Sequence, residues 1–209
     1  MTRVASVVLA ALLASAAGAC TSGPSAPVDT QAYVKQIAEA RAFKDKTFRE
    51  EPEPIPRDKI DVFLPLRYYA PDPSYAAPAE LKLANERPVF EMPTSTGKLR
   101  RMERVGVLEF LLRGQPMSLA AFVEEGQPLE VLFVPFADLT TGKDTYPAGR
   151  YLEIRPTSTG FYNIDFNTAF NPTCAYNATY DCPYPPASNR LKVEILAGEK
   201  TPAEKAPGA

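Results

Sequence analysis

The chain has 209 residues, with 23 lysines and arginines against 25 acidic residues, and hence a net charge of -2. It contains no histidine and no tryptophan, which excludes histidine general bases, histidine-based catalytic triads and the usual zinc ligand sets. A charge so close to zero, without a basic stripe, argues against nucleic-acid binding. The sequence therefore names no reaction, and it implies no cofactor.

The first twenty residues are typical of a bacterial lipoprotein signal. Arg3 supplies a positive charge, an apolar run too short to span a bilayer begins at Val4, and small residues precede Cys20. We expect cleavage before Cys20 and attachment of lipid to it, which predicts a membrane anchor on the periplasmic side of the cell envelope. Because Thr21 rather than aspartate follows, the outer membrane is favoured over the inner one. Ordinary cleavage beside an incidental cysteine is the alternative.

The remainder divides into three parts by composition. Residues 21–29 are predicted to be a flexible tether, residues 30–200 one globular domain, and residues 201–209 a disordered tail. The 22 prolines predict many rigid turns and short strands within the domain.

The domain begins with a helical pattern. Asp29 or Thr30 is placed to cap a helix that runs to about Arg49. Arg41 and Asp45 continue the apolar stripe of this helix, four residues apart. Two interpretations stay open: a surface pair at the edge of the stripe, or an inward ion pair that fixes the helix to a sheet or reaches a site.

After the helix the pattern changes to short apolar runs separated by turn residues. Strands are predicted at 62–69, 79–83, 89–92, 99–103, 106–113, 117–124, 129–136, 150–155, 161–166 and 191–196. Such strands predict a mainly β fold: an antiparallel sandwich or barrel of about 8–10 strands, with the N-terminal helix packed on it.

Alternation along the strand at 150–155 puts Arg150 on the same face as two aliphatic residues. This face should be interior, and a buried guanidinium requires a carboxylate partner. The nearest aspartates in the sequence are Asp138, Asp144 and Asp165. On the next strand, Asp165 and Asn167 belong to a polar row.

Cys174 and Cys182 are separated by seven residues in a loop rich in proline. In an oxidising envelope a disulfide between them is the leading prediction, with a redox or metal role and free thiols as alternatives. Two cysteines without histidine make a poor zinc site. No metal is predicted elsewhere, because the segments around Asp138 and Asp165 are favoured as turns.

A series of motifs resembles one known pattern. The motifs are Ala42-Phe43-Lys44-Asp45, 133–142, 145–151, Asp165-Phe166-Asn167, 171–176, 182–186, Asn189-Arg190-Leu191 and 197–200. In this order, from about Ala40 to Lys200, they resemble the bacterial family called domain of unknown function 1684. The resemblance implies no activity. It implies that the family signature falls here on Arg41, Asp45, Asp138, Tyr146, Arg150, Asp165, Asn167, Asn171, Cys174, Tyr176, Cys182, Asn189 and Glu199.

The leading functional hypothesis is a binding module for a small anionic ligand. Arg150, with Asp138 or Asp165, is expected to line a polar cleft closed by the loop at 174–186. The other candidate ligand-binding residues are Tyr146, Tyr151, Tyr176, Asn167, Asn171, Asn189, Glu199, Arg41 and Asp45. A histidine-free hydrolase with an aspartate base is the first alternative, and a structural lipoprotein the second. The sequence does not decide whether the protein is an enzyme.

Overall fold

The structure, a computed structural model, describes residues 29–51 and 53–203. The predicted signal peptide with Cys20, most of the predicted tether and residues 204–209 lie outside the described residues. Within the described ranges, no helix is both long and apolar enough to cross a bilayer.

One long helix, α1 (Thr30–Glu50), precedes the sheet, as the sequence predicted. The carboxylate of Asp29 caps it, accepting from the backbone N–H groups of Gln31 and Ala32 at 3.0 and 3.1 Å. Ile37 is the one buried residue of α1. Phe48, near the end of the helix, packs edge-on against Tyr176, and the other attachments of the helix are largely polar. A single helical turn, α2 (Ile60–Phe63), follows it.

Seven antiparallel strands form one sheet. They are β1 (Ala76–Leu83), β2 (Val89–Pro93), β3 (Leu99–Leu112), β4 (Gln115–Glu124), β5 (Leu132–Phe136), β6 (Arg150–Ile154) and β7 (Tyr162–Asp165). The strand order is β6-β5-β4-β3-β1-β7, with β2 paired to β3 outside this path. An antiparallel bridge between Pro156 and Tyr162 brings the two ends of the path together, so the sheet is a nearly closed barrel. The predicted mainly β fold with an N-terminal helix is confirmed.

The sheet has fewer strands than the sequence patterns indicated. The runs at 99–103 and 106–113 belong to the single strand β3, whose pairing with β4 shifts register between Arg104 and Gly106. The strand predicted at 62–69 is wrong, because α2 occupies its start and Pro65 has no N–H to donate to a ladder. Only Tyr68 of that segment forms a bridge, to Glu199.

The strand predicted at 191–196 is also wrong. This run belongs to the closing segment, residues 189–201, which crosses one end of the barrel. Its alternating apolar residues do point inward, and Ile195 and Ala197 are fully buried. Its backbone, however, bonds to loops instead of a neighbouring strand: Leu139 N donates to Val193 O at 3.1 Å, and Thr201 N to Asp144 O at 2.9 Å.

Inside the barrel, the core consists of aliphatic and aromatic side chains from all strands except β2, continued by the buried residues of the closing segment. A second, smaller cluster packs Ile55, Leu64 and Leu66 against Tyr176. Pro202, in the predicted tail, is buried as well, so the ordered part of the chain extends past residue 200.

Candidate functional site

The guanidinium of Arg150 lies inside the barrel end that the closing segment covers, and its side chain is 1% exposed. Its Nη2 donates to Asp138 Oδ2 at 2.6 Å and to Ile195 O at 3.0 Å. Its Nη1 donates to the carbonyl oxygens of Ala197 and Glu199. The predicted burial of Arg150 against a carboxylate is confirmed. The carboxylate of Asp138 already neutralises this cation, however, so the geometry gives Arg150 a structural part instead of the ligand-binding one expected.

Asp138 is equally occupied. Its Oδ2 receives the bond from Arg150, and its Oδ1 accepts from the backbone N–H of Thr140 at 2.6 Å and from the Thr140 hydroxyl. This is the turn predicted around Asp138. A carboxylate with both oxygens bonded inside the barrel is not placed to act as a base on a substrate.

Asn189 is fully buried and joins two strands. Its Oδ1 accepts from Ala120 N, and its Nδ2 donates to Ala120 O and Pro135 O, each at 2.8 Å. Its Oδ1 also accepts from the hydroxyl of Ser188 at 3.3 Å. Because these bonds join it to the backbone of β4 and β5, its side chain is also committed to the fold.

Glu199 is the centre of a polar cluster between α1 and the closing segment, and its side chain is 1% exposed. Its Oε2 accepts from the Tyr176 hydroxyl at 2.7 Å and from Asn171 N at 2.8 Å. Its Oε1 accepts from Lys44 Nζ and, at 3.4 Å, from the Tyr68 hydroxyl. Lys44 supplies the positive charge that a buried carboxylate requires, and this ion pair attaches α1 to the barrel end.

The residue before Glu199, Gly198, packs so closely against neighbouring backbone that only glycine fits there. Gly198 has φ +78°, and a Cβ there would lie 2.6 Å from Phe166 O and 2.7 Å from Ala169 O. The carbonyl of Gly198 accepts from Tyr69 N at 3.0 Å, and the N–H of Glu199 donates to Ala169 O at 2.9 Å. Three stretches of backbone therefore meet at Gly198 without room for a side chain.

Arg41 lies on the same side of α1 as Lys44. Its Nη1 donates to Tyr69 O at 2.8 Å and its Nη2 to Asn167 O at 3.3 Å, while its guanidinium carbon lies 4.3 Å from the centre of the Tyr68 ring. Among residues 29–51 and 53–203, no carboxylate lies within ion-pair distance of Arg41. Burial lowers the pKa of its guanidinium below the ordinary value. Arg41 is thus a half-buried cation whose partners are neutral.

Asp45, the expected partner of Arg41, bonds elsewhere: its Oδ1 accepts from Leu66 N at 3.1 Å. Both side chains face inward, as one of the two interpretations held. They are not paired with each other, and each fixes α1 to a different stretch of loop.

Asp165 and Asn167 fasten the beginning of α1. Both oxygens of Asp165 accept from the Tyr33 hydroxyl, at 2.9 and 2.8 Å, and Asp165 Oδ1 also accepts from Asn167 N at 2.9 Å. The side chain of Asn167 bonds to the backbone N–H and C=O of Asp72 at 2.9 and 2.8 Å. Burial, followed by the contact with Asp165, raises the pKa of Tyr33 well above its ordinary range.

A small cavity lies between α1 and the loop after β7, and we call it the α1 cleft. Its volume is about 170 Å³. It is lined by Ile37, Ala40, Arg41, Lys44, Tyr68, Asn167, Thr168, Ala169, Phe170 and Glu199. The lining carries two cations, Arg41 and Lys44, and one carboxylate, Glu199, so its formal charge is positive. Its other walls are largely apolar.

A larger depression of about 500 Å³ lies on the outside of the barrel, beside Arg100, Phe133 and Tyr151. Its cation already has carboxylate partners, since Arg100 lies 3.6 Å from Glu124 and 3.7 Å from Asp181. The α1 cleft is the better candidate site, because its Arg41 has no such partner.

Tyr151 lies outside the barrel because it follows Arg150 on β6, and successive residues of a strand point to opposite faces. Its hydroxyl donates to Pro183 O at 2.6 Å, and its ring packs edge-on against Phe133 and Phe170.

The single polar cleft expected from the sequence is therefore not formed, since Arg150 and Tyr151 face in opposite directions. The expected residues occupy separate groups: Arg150 with Asp138 in the barrel, Asn189 between strands, Tyr151 on the outer face, Tyr146 beside the cysteines, and Arg41, Asp45, Asp165, Asn167, Asn171, Tyr176 and Glu199 around α1 and its cleft. Lys44 and Tyr68 are additional cleft residues. Lys44 was recognisable from its position three residues after Arg41, whereas Tyr68 lies in a segment that the patterns predict as a strand.

Cys174 and Cys182 are buried neighbours, but the structure contains them as free thiols and not as the expected disulfide. The backbone N–H of Cys174 donates to Cys182 Sγ at 3.1 Å. The Tyr146 hydroxyl lies 4.0 Å from Cys174 Sγ. The backbone N–H of Cys182 donates to Ser95 Oγ at 3.1 Å, and Ser95 N to Cys182 O at 2.9 Å.

Comparison with known proteins gives one family. The family model described as "Protein of unknown function (DUF1684)" matches residues 61–200. The chain belongs to this family. The DUF1684 match confirms the resemblance seen in the motifs, and it covers the barrel, the cysteine loop and Glu199, while α1 lies before it.

A solved structure is also similar. It is the solution NMR structure of the uncharacterized protein from gene locus rrnAC0354 of Haloarcula marismortui, with 38% identity and a TM-score of 0.64. The similarity covers 83% of this DUF1684 chain and 96% of that chain. No curated protein matches this chain.

Proposed function

We propose that this protein binds a small ligand through one carboxylate group, and that the α1 cleft is the binding site. The observation that carries the proposal is the guanidinium of Arg41, which lines the cleft, is half-buried, and has only carbonyl oxygens and an aromatic ring as partners. A carboxylate is the partner that such a cation lacks, because charge-assisted bonds to guanidinium are stronger than bonds to neutral acceptors.

The size of the cleft limits the ligand. A cavity of about 170 Å³ lies below the usual range for drug-sized ligands, roughly 300–1,000 Å³. The apolar walls provided by Ile37, Ala40 and Phe170 favour a short hydrocarbon body behind the carboxylate. The ligand class is therefore a short-chain organic acid.

Binding is favoured over hydrolysis by the state of the aspartates. Asp138 and Asp165, the candidate bases, each have both carboxylate oxygens bonded to protein donors. Neither lines the α1 cleft. No observation on the described residues favours a hydrolase. If the binding test fails, a purely structural role for the polar clusters remains.

The binding test compares butyrate with butyramide, its neutral isostere, by titrating each into the isotopically labelled protein and following backbone amide shifts by NMR. We expect butyrate to shift the amides of Ala40 and Ala169 saturably, and butyramide to bind at least about tenfold more weakly, the equivalent of about 1.4 kcal/mol. Arg41→Gln should weaken butyrate binding by about 10- to 100-fold, because one bond to a charged group contributes roughly 1.5–3 kcal/mol.

Arg113→Gln is the matched control, since Arg113 also stacks on a tyrosine, Tyr75 at 5.2 Å, but lies away from the cleft. It should leave butyrate binding unchanged, and unfolding midpoints should show that both variants are folded. Equal binding of the acid and the amide, or no saturable shift with either, would refute the proposal.

We also propose that the protein acts at the periplasmic face of the envelope, held by lipid on Cys20. The support is the sequence alone: a positive residue, a short apolar run and small residues before the cysteine. In a bacterial host the protein should fractionate with membranes and carry a lipid on its first peptide, whereas Cys20→Ser should be released. Recovery of both forms in the soluble fraction would contradict the anchor.

A further inference from the structure

The cysteine pair has an arrangement that a structural disulfide does not need. The sulfur of Cys182 is an acceptor for the backbone N–H of Cys174 at 3.1 Å, and Thr173 Oγ1 lies 3.4 Å from it. Donors grouped around one sulfur stabilise its thiolate, the nucleophilic form of cysteine.

The two sulfurs are not equivalent. The neighbouring Cys174 thiol lowers the pKa of Cys182, and the backbone N–H of Cys174 and the charge of Arg100 act in the same direction. The same contact raises the pKa of Cys174. The pair therefore combines an ionisable thiol with a protonated neighbour.

The loop is fixed without a disulfide. Two backbone-anchored bonds join Cys182 to Ser95 in the turn after β2, and the neighbouring Tyr184 N donates to Pro93 O at 2.8 Å. Since the Cys182 end of the loop is already held, a bond between the sulfurs can form and break without releasing this part of the chain.

The two cysteines are almost fully covered, but they lie close to the surface. Cys174 and Cys182 are 9% and 4% exposed, and the adjacent Thr173 lies at the surface. A small molecule can therefore reach the two sulfurs more readily than a folded protein can.

From these observations we propose that Cys174 and Cys182 form a thiol–disulfide exchange site for small disulfides, with Cys182 as the attacking sulfur and Cys174 as the resolving sulfur. The Cys182 thiolate attacks one sulfur of the disulfide, whose S–S bond breaks and releases the first thiolate, which takes up a proton. The Cys174 thiol then loses its proton and attacks the Cys182 sulfur of the mixed disulfide. The second thiol leaves, the two cysteines are oxidised to a disulfide, and the small disulfide is reduced to two thiols.

The test uses the full chain in a Cys20→Ser background, where the pair supplies the only cysteines. The protein is equilibrated with mixtures of reduced and oxidised glutathione, trapped with acid and weighed by mass spectrometry. We expect a graded change from the dithiol to a form lighter by two hydrogen atoms. A pair that stays fully oxidised or fully reduced across all mixtures overturns the proposal.

Single variants test the order of attack. With glutathione disulfide, Cys174→Ser should accumulate one glutathione on Cys182, at least about tenfold faster than Cys182→Ser accumulates it on Cys174. Equal rates, or a faster Cys182→Ser, would refute the assigned roles. The exchange measured on the two intact cysteines needs neither substitution, so it decides the proposal even where a variant does not fold.

Discussion

The side-chain amide of Asn189 forms hydrogen bonds to β4 and β5 that the backbone of a neighbouring strand would otherwise form. β4 and β5 pair through Phe122 and Phe133 alone, and beyond that pair the amide of Asn189 bonds to the backbone of both strands. An amide group offers the same donor and acceptor as a peptide unit, which explains why asparagine serves here.

Replacing Asn189 by alanine should therefore destabilise the fold. Asn189→Ala leaves Ala120 N, Ala120 O and Pro135 O without their partner, and an unsatisfied buried group costs about 1–3 kcal/mol. We expect the free energy of unfolding to fall by at least about 2 kcal/mol, measured by urea denaturation.

Asn163→Ala provides the comparison, because Asn163 is exposed on β7. It should change the free energy of unfolding by no more than about 0.5 kcal/mol. Equal effects of the two substitutions would show that the Asn189 contacts contribute nothing specific.

For single residues, the sequence predicts those properties that strand alternation and charge determine, such as burial and the need for a partner of opposite charge. The burial of Arg150 and its need for a carboxylate follow from its place beside Leu152 and Ile154, and the choice of Asp138 follows only from the fold. The part played by Asn189 is not visible in the sequence, because its partners are backbone atoms 54 and 69 residues away.

For a helix of 21 residues, α1 has little apolar attachment. Ile37 is its one buried residue, and polar side chains hold it: Tyr33 to Asp165, Arg41 to Tyr69, Lys44 to Glu199 and Asp45 to Leu66. Elements with few buried apolar contacts open at lower free energy than the core. The wall of the α1 cleft that carries Arg41 should thus open at lower free energy than the core of the barrel.

Hydrogen exchange should detect this difference. Amides of α1 should exchange through local opening, whereas amides of β3 and β4 exchange only on global unfolding. Tyr33→Phe removes the bonds to Asp165 and should lower the opening free energy of α1 by about 1–2 kcal/mol.

Lys35→Ala is the control for this experiment, since Lys35 forms only an exposed pair with Glu39 at 3.7 Å. It should leave the exchange of α1 nearly unchanged. If α1 exchanges at the same free energy as β3 in the unsubstituted protein, the helix is an integral part of the core and the expectation is wrong.

The existence and type of most elements could be predicted, because α1 has a helical period and an Asp29 cap, and the strands are bounded by turn residues. The two failures have a common cause. Residues 62–69 and 191–196 are apolar segments that the barrel end buries, and alternation alone does not distinguish an extended segment over loops from a strand in a sheet.

Over the whole molecule, buried and half-buried tyrosines govern the response to alkaline pH. Burial is the first cause of a raised pKa for Tyr33, Tyr68, Tyr69, Tyr146, Tyr151 and Tyr176. For Tyr69 the pKa is raised to about 12. An unfolded tyrosine ionises near pH 10, so the folded state binds these protons more tightly than the unfolded state does.

Stability should accordingly be intact below about pH 10 and be lost progressively as the pH rises towards about 12. Urea unfolding midpoints measured at intervals across this range should decrease, and tyrosinate absorbance from these residues should appear together with unfolding. Full tyrosinate absorbance near pH 10 in a protein that is still folded would contradict the burial of these side chains.

Position 198 sets a limit on which sequences can adopt this barrel end. Gly142 has φ +80° and nothing within 4 Å of a built Cβ, so asparagine or aspartate can replace it at a modest conformational cost. Gly198 shares that backbone conformation but faces two carbonyl oxygens at 2.6 and 2.7 Å, so no other amino acid fits. A sequence that aligns with this chain but has a side chain at position 198 must therefore close its barrel in another way.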